Sequence, residues 1–248
     1  TGMYDAAYFL QFATGGAKRL SYAASFGKTN FDAATTRVYQ QMLASYDKIT
    51  VREDSAVQML ESWGAKNCYG QVLDPTLLLS ADEWIDLLVY EEMQIKYASQ
   101  KYILVYQIHN DRQLSSYALR LAAHTGLKLL RVNPFMHQVH RGGKFVLCPD
   151  VTEFLSLIKN ATYIVTDSFH GTCFSLTFEK QFIEVLPNNT TGTRNQSILA
   201  LTGLSNRIVY DFDDFSIINR MINYQPVREI LAKERGRSVK MLKCLLNS

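Results

Sequence analysis

The stretch that decides the fold is residues 161–178, ATYIVTDSFHGTCFSLTF. Its first five residues are short, β-branched and apolar, which is typical of a buried strand. Its last six residues are apolar at helical spacing and predict a helix that ends near Glu179. The polar residues between these two segments predict a tight turn. We therefore expect His170 at the carboxyl edge of a sheet, beside the start of a helix.

The carboxyl edge of a sheet is where open α/β proteins bind ligands, and a helix N-terminus favours phosphate or carboxylate groups. A histidine at this place can transfer a proton near pH 7, and Asp167 could fix the tautomer of His170. The alternative is that His170 only caps the helix. The segment alone leaves both interpretations open.

The composition is that of an ordinary globular protein. The chain has 248 residues, 47% of them hydrophobic and 20% charged, and its net charge of +3 is too small to indicate nucleic-acid binding. The four cysteines form no C-x-x-C pair and no metal-ligand cluster with the five histidines. We expect reduced thiols in a cytoplasmic protein with no bound metal or cofactor, no membrane span and no signal peptide. Because the first residue is Thr1 rather than methionine, we also expect a missing beginning.

The first part of the chain predicts strands at residues 18–25 and 47–53, and a third that ends at residues 72–75. Asp54 or Ser55 is predicted to cap a helix that Gly64 ends. A domain boundary is expected just after the third strand. The resulting division has a partial N-terminal Rossmann-like domain, a C-terminal Rossmann-like domain and a basic helical tail, at residues 1–76, 77–222 and 223–248.

The second part of the chain alternates strands and helices more plainly. Strands are predicted at residues 102–108, 127–132, 161–165 and 182–186. Ser115 or Ser116 is predicted to cap a helix that ends at Gly126, and Asp150 with Glu153 resembles a capping box for the next helix. This alternation predicts an α/β fold with a parallel sheet and right-handed crossovers.

The C-terminal residues 226–248 carry six basic and two acidic side chains, so their charge of +4 exceeds that of the whole chain. Pro226 suits the first turn of a helix. The usual explanation for such a charge is a solvated helix face. The alternative is a surface that approaches anionic lipid, or a lipid-linked phosphate, at the inner face of the membrane.

Other candidate residues also lie near predicted strand ends. Arg52 and Glu53 follow a strand, where an arginine can hold a phosphate or carboxylate bidentately, unless the two residues only pair with each other. The segment 188–194 contains small hydroxyls, a glycine and Arg194, which suit either an anion-binding loop or an ordinary polar loop. Cys173 is expected to pack in the core. The remaining histidines, which show no supporting partners in the sequence, are His109, His124, His137 and His140.

Taken together, five segments of the chain resemble the polysaccharide pyruvyl transferase family. They are RLSYAASFG (residues 19–27), TVREDS (50–55), VLDPTLL (72–78), FLSLIKNA (154–161) and VTDSFHGT (165–172). The resemblance implies a fold like that of the GT-B glycosyltransferases, with the active site in a cleft between two Rossmann-like halves. It also implies that the N-terminal half is incomplete, because members usually begin with a further βα portion.

The resemblance further implies a reaction, the transfer of pyruvate from phosphoenolpyruvate to two sugar hydroxyls as a cyclic ketal. His170 matches an active-site histidine of the family and is the candidate for proton transfer, with Asp167 and Glu53 as further catalytic candidates. The candidates for substrate binding are Arg52, Ser25, Ser168, Gly171, Thr172 and Arg194. Ser168 stands where ketal-forming members often carry an arginine, and Arg194 is the candidate to replace that charge.

Three functions remain open at this point. The first is a bacterial cytoplasmic enzyme that transfers pyruvate to a capsule, exopolysaccharide, cell-wall or lipid-linked sugar. The second is a glycosyltransferase-like enzyme that uses a nucleotide sugar on the same fold. The third is a non-catalytic relative whose pocket has lost the arginine at position 168.

Overall fold

The computed structural model describes residues 5–87, 97–187 and 192–247. The chain forms two compact units. Unit 1 comprises Thr1–Leu78, Thr190–Ile198 and Ala232–Ser248, and unit 2 comprises Leu79–Asn189 and Leu199–Leu231. Each unit contains a parallel sheet accompanied by helices, which confirms the predicted α/β class.

Unit 1 contains a three-stranded parallel sheet in the order β1-β2-β3. Its strands are β1 (Leu20–Ala24), β2 (Lys48–Val51) and β3 (Cys68–Gln71). Helices α1 (Ala33–Leu43) and α2 (Asp54–Ser62) follow the first two strands. The core of this unit is formed by β2 and the helices beside it, through Leu43, Tyr46, Ile49, Val51, Ala56 and Leu60.

Two boundaries in unit 1 differ from the sequence expectation. Glu53 occupies the N-cap position of α2, so neither Asp54 nor Ser55 is the cap, and the Glu53 carboxylate binds the turn after β1 instead of capping its own helix. Strand β3 ends at Gln71 rather than at residues 72–75. The pairing stops because the Leu73 amide donates to Ser238 Oγ at 2.9 Å and not to a neighbouring strand.

Unit 2 contains a five-stranded sheet in the order β6-β5-β4-β7-β8, in which every pairing is parallel. The strands are β4 (Tyr102–Tyr106), β5 (Lys128–Asn133), β6 (Lys144–Leu147), β7 (Tyr163–Thr166) and β8 (Gln181–Glu184). The parallel sheet predicted from residue 102 onward is therefore confirmed. Strand β6 was missed because it is a short edge strand whose residues are only partly buried.

Among the described residues of unit 2, the helices that accompany the sheet are α3 (Ala81–Leu87), α4 (Arg112–Thr125), α5 (Val151–Asn160) and α6 (Phe169–Thr177). Short 3₁₀ helices lie at Ala6–Phe9, Pro75–Leu77, Met136–Arg141, Ser205–Arg207 and Ser216–Asn219. The core packs α4 on β4, β7 and β8, and its fully buried members include Ile103, Val105, Leu121, Val165 and Ile183.

The start of α4 differs from the prediction, because its N-cap is Asp111 and not Ser115 or Ser116. The Asp111 carboxylate accepts from the amide of Gln113 at 2.7 Å, which is the bond expected of a capping side chain. Ser115 is buried on the inner face of the helix. The cap of α5 is confirmed, since Asp150 Oδ1 accepts from the Glu153 amide at 2.7 Å.

Two further helices contribute residues to both units. Arg194 lies in the first of them, α7 (Thr193–Leu201), so it is not a loop residue as predicted, and residues 188–191 of the predicted loop lie outside the described residues. The second, α8 (Tyr224–Leu246), carries Pro226 in its first turn, which confirms that prediction.

The basic residues of α8 have both packed and exposed members. Arg228 pairs with Glu179, and the side chains of Arg235 and Arg237 donate to backbone carbonyls within unit 1. The lysines of the helix are exposed. In the part of the chain that the structure describes, no helix combines the length and apolar character that a membrane span requires.

The close approach of α6 to the sheet leads to a first prediction. A Cβ at Gly171 would lie 2.4 Å from Thr166 Oγ1, so we expect Gly171→Ala to destabilise the protein by about 1–3 kcal/mol. Gly236 in α8 provides the matched control, because a Cβ there meets no atom within 4 Å. Gly236→Ala should leave stability unchanged or raise it by about 0.5–1 kcal/mol. Urea unfolding of both variants measures the difference, and equal stability of the two would contradict the packing argument.

Candidate active site

The sheet of unit 2 has a topological switch point at β4. From β4 the chain passes to β5 on one side, while β7 pairs with β4 on the other side. Tyr106 and Thr166 are register partners at the ends of β4 and β7, so the segments that follow them leave the sheet side by side. The carboxyl edge at such a point is where open α/β sheets bind ligands.

His170 lies at this edge, as the sequence predicted. It is an exposed residue in the first turn of α6, directly after β7. Ser168 is the N-cap residue, and its Oγ accepts from the Gly171 amide at 3.3 Å. The side chain at position 168 therefore caps the helix and is almost completely buried.

Asp167 is buried beneath this turn. Its Oδ1 accepts from the Ile108 amide at 2.7 Å, and its Oδ2 accepts from the His109 amide at 3.0 Å. The ring Nδ1 of His109 lies 3.2 Å from the same Oδ2. Burial raises the pKa of Asp167, and the hydrogen bonds from Ile108 and His109 partly oppose that effect. The expectation that Asp167 orients His170 is therefore wrong, because its side-chain partner is His109.

His109 is the functional candidate that the sequence analysis missed. It follows β4 at the sheet edge where His170 follows β7, and its side chain is 33% exposed while Asp167 is 1% exposed. The signal was available, because His109 comes directly after the strand predicted at residues 102–108. It was passed over because its partner is 58 residues away in sequence.

Gly171 and Thr172 are both buried in α6. The Gly171 backbone packs tightly against Thr166, and the Thr172 hydroxyl bonds to the Ser168 carbonyl and to the Glu184 carboxylate. In this structure the two residues support the turn that carries His170. Cys173 is fully buried in the same helix, as expected, and the four cysteines are free thiols.

Unit 1 has its own polar sheet edge, at the end of β2. Arg52 Nη1 pairs with Asp74 Oδ2, so the arginine does not pair with Glu53. Asp74 Oδ1 also accepts from the amide and the hydroxyl of Thr76, at 3.0 and 2.7 Å. Burial alone would raise the pKa of Asp74, but the bonds from Thr76 and Arg52 outweigh burial and lower it. The Asp74 carboxylate thus fixes the position of the Arg52 guanidinium.

Glu53 is 1% exposed and holds the turn that follows β1. Its Oε1 accepts from the Ser25 hydroxyl at 2.8 Å, the Phe26 amide at 3.0 Å and the Gly27 amide at 3.2 Å. Gly27 has a φ of 64°, a left-handed conformation that suits glycine. Within the described residues, Glu53 Oε2 is buried without a hydrogen-bond partner. The carboxylate is therefore an organiser of the β1 turn as well as a catalytic candidate.

Ser25 also lines a cavity of about 540 Å³ within unit 1. Most of the lining is aromatic or aliphatic, with Phe26 and Tyr39 beside Ser25. Among residues 5–87, 97–187 and 192–247, no group of three His, Cys, Asp or Glu side chains is arranged to hold a metal ion.

The predicted site residues fall into both units. Unit 1 contains Ser25, Arg52, Glu53 and Arg194, and unit 2 contains Asp167, Ser168, His170, Gly171 and Thr172. Arg52 and Glu53 follow the end of β2, and Asp167 follows the end of β7. The functional roles predicted for these residues stay predictions.

The fold is similar to that of several solved structures. UDP-GlcNAc 2-epimerase from Neisseria meningitidis, solved bound to UDP-GlcNAc, matches with a TM-score of 0.61 and 12% identity over 93% of this chain and 70% of that one. S. aureus MnaA with UDP matches with a TM-score of 0.54 and 16% identity, over 87% and 60% of the two chains. A UDP-forming trehalose-phosphate synthase from Burkholderia vietnamiensis matches with a TM-score of 0.54 and 8% identity, over 92% of this chain and 70% of that one. The chain thus has a GT-B-like fold and spans 60–70% of these proteins.

The sequence also matches a family model, that of polysaccharide pyruvyl transferase, over residues 2–190. The chain therefore belongs to the polysaccharide pyruvyl transferase family, as the five sequence segments predicted. No protein of curated function matches the sequence.

The Arg52–Asp74 pair generates a second prediction. Because the folded pKa of Asp74 is lowered, its ionised form stabilises the protein above about pH 4, the ordinary pKa of an unfolded aspartate. That contribution is lost as the pH falls through the folded pKa. Asp74→Asn should therefore destabilise the protein by about 1–3 kcal/mol at pH 7, and the difference from wild type should shrink below about pH 4.

Urea unfolding at pH 7, pH 5 and below pH 4 measures this dependence. Asp86→Asn is the control, since Asp86 is exposed in α3 and should change little. If the difference in free energy of unfolding between Asp74→Asn and wild type stays constant with pH, the ionised carboxylate does not stabilise the fold.

Proposed function

We propose that the protein transfers pyruvate from phosphoenolpyruvate to two hydroxyls of a sugar, forming a cyclic ketal. The observation that carries this proposal is the exposed His170, which lies within the family match at the carboxyl edge of a parallel sheet, where such sheets bind ligands. Membership of the family supports a transferase that modifies polysaccharide. The phosphoenolpyruvate donor and the ketal product are the proposed refinements.

The chemistry explains why a proton donor is needed. The methylene carbon of phosphoenolpyruvate must gain a proton to become a methyl group, while a sugar hydroxyl oxygen bonds to the adjacent carbon and loses its proton. A second hydroxyl then displaces phosphate from that carbon and loses its proton in turn. Phosphate leaves, and the pyruvate carboxylate remains on the ketal. His170 is the proposed acid, because it is exposed and an imidazole ring can carry the proton.

The donor carries a carboxylate and a phosphate, so it requires cationic anchors. Arg52 is the proposed first anchor, and its pairing with Asp74 supports this role by holding the guanidinium in one orientation. Arg194 is the proposed second anchor, since Ser168 caps α6 and cannot supply a positive charge. Both arginines belong to unit 1.

A nucleotide-sugar transferase is the second candidate. The observation that favours it is the likeness to structures whose descriptions name UDP-GlcNAc and UDP, although their identity of 12–16% supports the fold alone. Titration of phosphoenolpyruvate, UDP-sugars and GDP-sugars against the protein separates the two candidates. Binding of a nucleotide sugar but not of phosphoenolpyruvate would favour the second, and binding of none would favour a non-catalytic relative.

The setting that we propose is bacterial synthesis of capsule, exopolysaccharide or cell-wall polysaccharide. The acceptor would be a sugar or a lipid-linked oligosaccharide. The exposed lysines of α8, Lys233, Lys240 and Lys243, support contact with an anionic lipid or a lipid-linked phosphate at the inner membrane face.

A third prediction concerns His170. His170→Ala should lower turnover by at least ~10²-fold, because it removes the proposed proton donor. Its stability should change little, since the side chain is exposed. Steady-state kinetics with phosphoenolpyruvate and a galactose- or mannose-type acceptor provide the measurement. A folded His170→Ala enzyme with nearly wild-type turnover would remove His170 from the mechanism.

A fourth prediction concerns Arg52. Arg52→Ala should chiefly raise the KM for phosphoenolpyruvate, because it removes an anchor rather than a proton donor. It should also lower stability, since Asp74 loses its charged partner in a buried position. Arg120→Ala is the control, as Arg120 makes an exposed ion pair with Asp213 in unit 2. An unchanged KM in a folded Arg52→Ala enzyme would contradict the donor-anchor role.

A further inference from the structure

The Asp167 carboxylate is a fixed acceptor at the switch point of the unit 2 sheet. Two backbone amides, those of Ile108 and His109, hold its oxygens at 2.7 and 3.0 Å. These bonds prevent the carboxylate from turning, and the carboxylate is almost completely buried. The remaining interaction of Oδ2 is directed at the ring Nδ1 of His109, 3.2 Å away.

This contact has a consequence for the His109 ring. When Asp167 is ionised, its carboxylate accepts hydrogen bonds only, and Nδ1 then carries the proton that joins it to Asp167. The opposite nitrogen, Nε2, then carries a lone pair and can accept a proton. Because the side chain is one-third exposed, this basic nitrogen is the part of the ring that remains for a ligand.

Hydrogen bonds hold the backbone before and after His109. The Gln107 carbonyl accepts from Asn133 Nδ2 at 2.6 Å and from Gln138 Nε2 at 3.0 Å. The Gln107 side chain donates to the Asp111 carbonyl at 2.6 Å, which closes the loop after β4. A functional side chain on such a supported loop is held in place before any ligand binds.

We infer that His109 is a second proton-transfer residue of this site, the base that takes the proton from the attacking sugar hydroxyl, with Asp167 as its positioning residue. The inference rests on the proposed function, which needs one group to give a proton and another to remove one. His170 gives its proton to the methylene carbon of the donor. The hydroxyl oxygen forms its bond to the neighbouring carbon as its proton moves to Nε2 of His109.

The two histidines suit this division of roles because of where they lie. Each follows the end of a strand, and the two strands, β4 and β7, are paired in register up to Tyr106 and Thr166. The Asp167 carboxylate lies 3.2 Å from Nδ1 of His109 and holds the ring in one orientation. His170 lies in the first turn of a helix, where the partial positive charge favours release of a proton.

The test compares variants of His109 that keep or remove the individual nitrogens of its ring. His109→Asn keeps a donor where Nδ1 bonds to Asp167 but has no second nitrogen, so it should remain folded and lose at least ~10²-fold in turnover. His109→Ala should lose a similar factor and recover part of it when imidazole is added. His124→Ala is the control, because His124 is exposed at the end of α4 and stacks on Phe215. It should keep wild-type turnover.

A merely structural role for His109 predicts other results. His109→Asn would then keep its turnover, and imidazole would not restore the Ala variant, and either result in folded protein would overturn the inference. Asp167→Asn should lower turnover less than His109→Ala does, with little change in the KM for phosphoenolpyruvate.

A second measurement does not depend on turnover. Long-range ¹H–¹⁵N NMR of the wild-type protein should show His109 with the proton on Nδ1 when the ring is neutral. A neutral ring protonated on Nε2 would overturn the inference whatever the enzyme's reaction. If the wild-type protein turns over no phosphoenolpyruvate, the proposed function fails, and the NMR result then decides the His109–Asp167 arrangement by itself.

Discussion

The parallel pairing of β4 with β7 is the constraint on which the unit 2 site depends. Four register pairs join the strands, from Ile103 with Tyr163 to Tyr106 with Thr166. The Thr166 hydroxyl donates to the Tyr106 carbonyl at 2.7 Å and so extends the contact at the last pair. Because the strands end together, the segments that carry His109 and His170 begin at the same edge. A shift of register would separate the Asp167 carboxylate from the amides that hold it.

Buried polar groups organise both sheet edges. Asp167 and Glu53 each accept backbone amides from a segment remote in sequence, and the Asp74 carboxylate fixes Arg52. A buried charge is costly unless hydrogen bonds or an opposite charge compensate it. These carboxylates therefore exclude alternative loop arrangements. Their bonds give the loops at the sheet edges a defined shape, which a site for a small charged donor requires.

At position 168, a serine and an arginine would have different roles in the turn between β7 and α6. Ser168 binds the Gly171 amide and is buried, so it completes the start of α6. An arginine, which ketal-forming relatives often have there, would instead bring a charge to the sheet edge. The proposed mechanism therefore relies on Arg52 and Arg194 for charge, and on His170 and His109 for proton transfer.

The sequence by itself determined the class of fold, the family and the place of His170. Residues 161–178 carry the strand, turn and helix signals in one continuous segment, so local periodicity and propensity were enough. The cap of α4 was misplaced because Asp111 and Ser115 both suit a helix start, and only packing placed Ser115 inside. Tertiary structure alone decided that Asp167 meets His109, 58 residues away, and that Arg52 meets Asp74, 22 residues away. Such pairs depend on how strands align in a sheet, and no local pattern in the chain records that alignment.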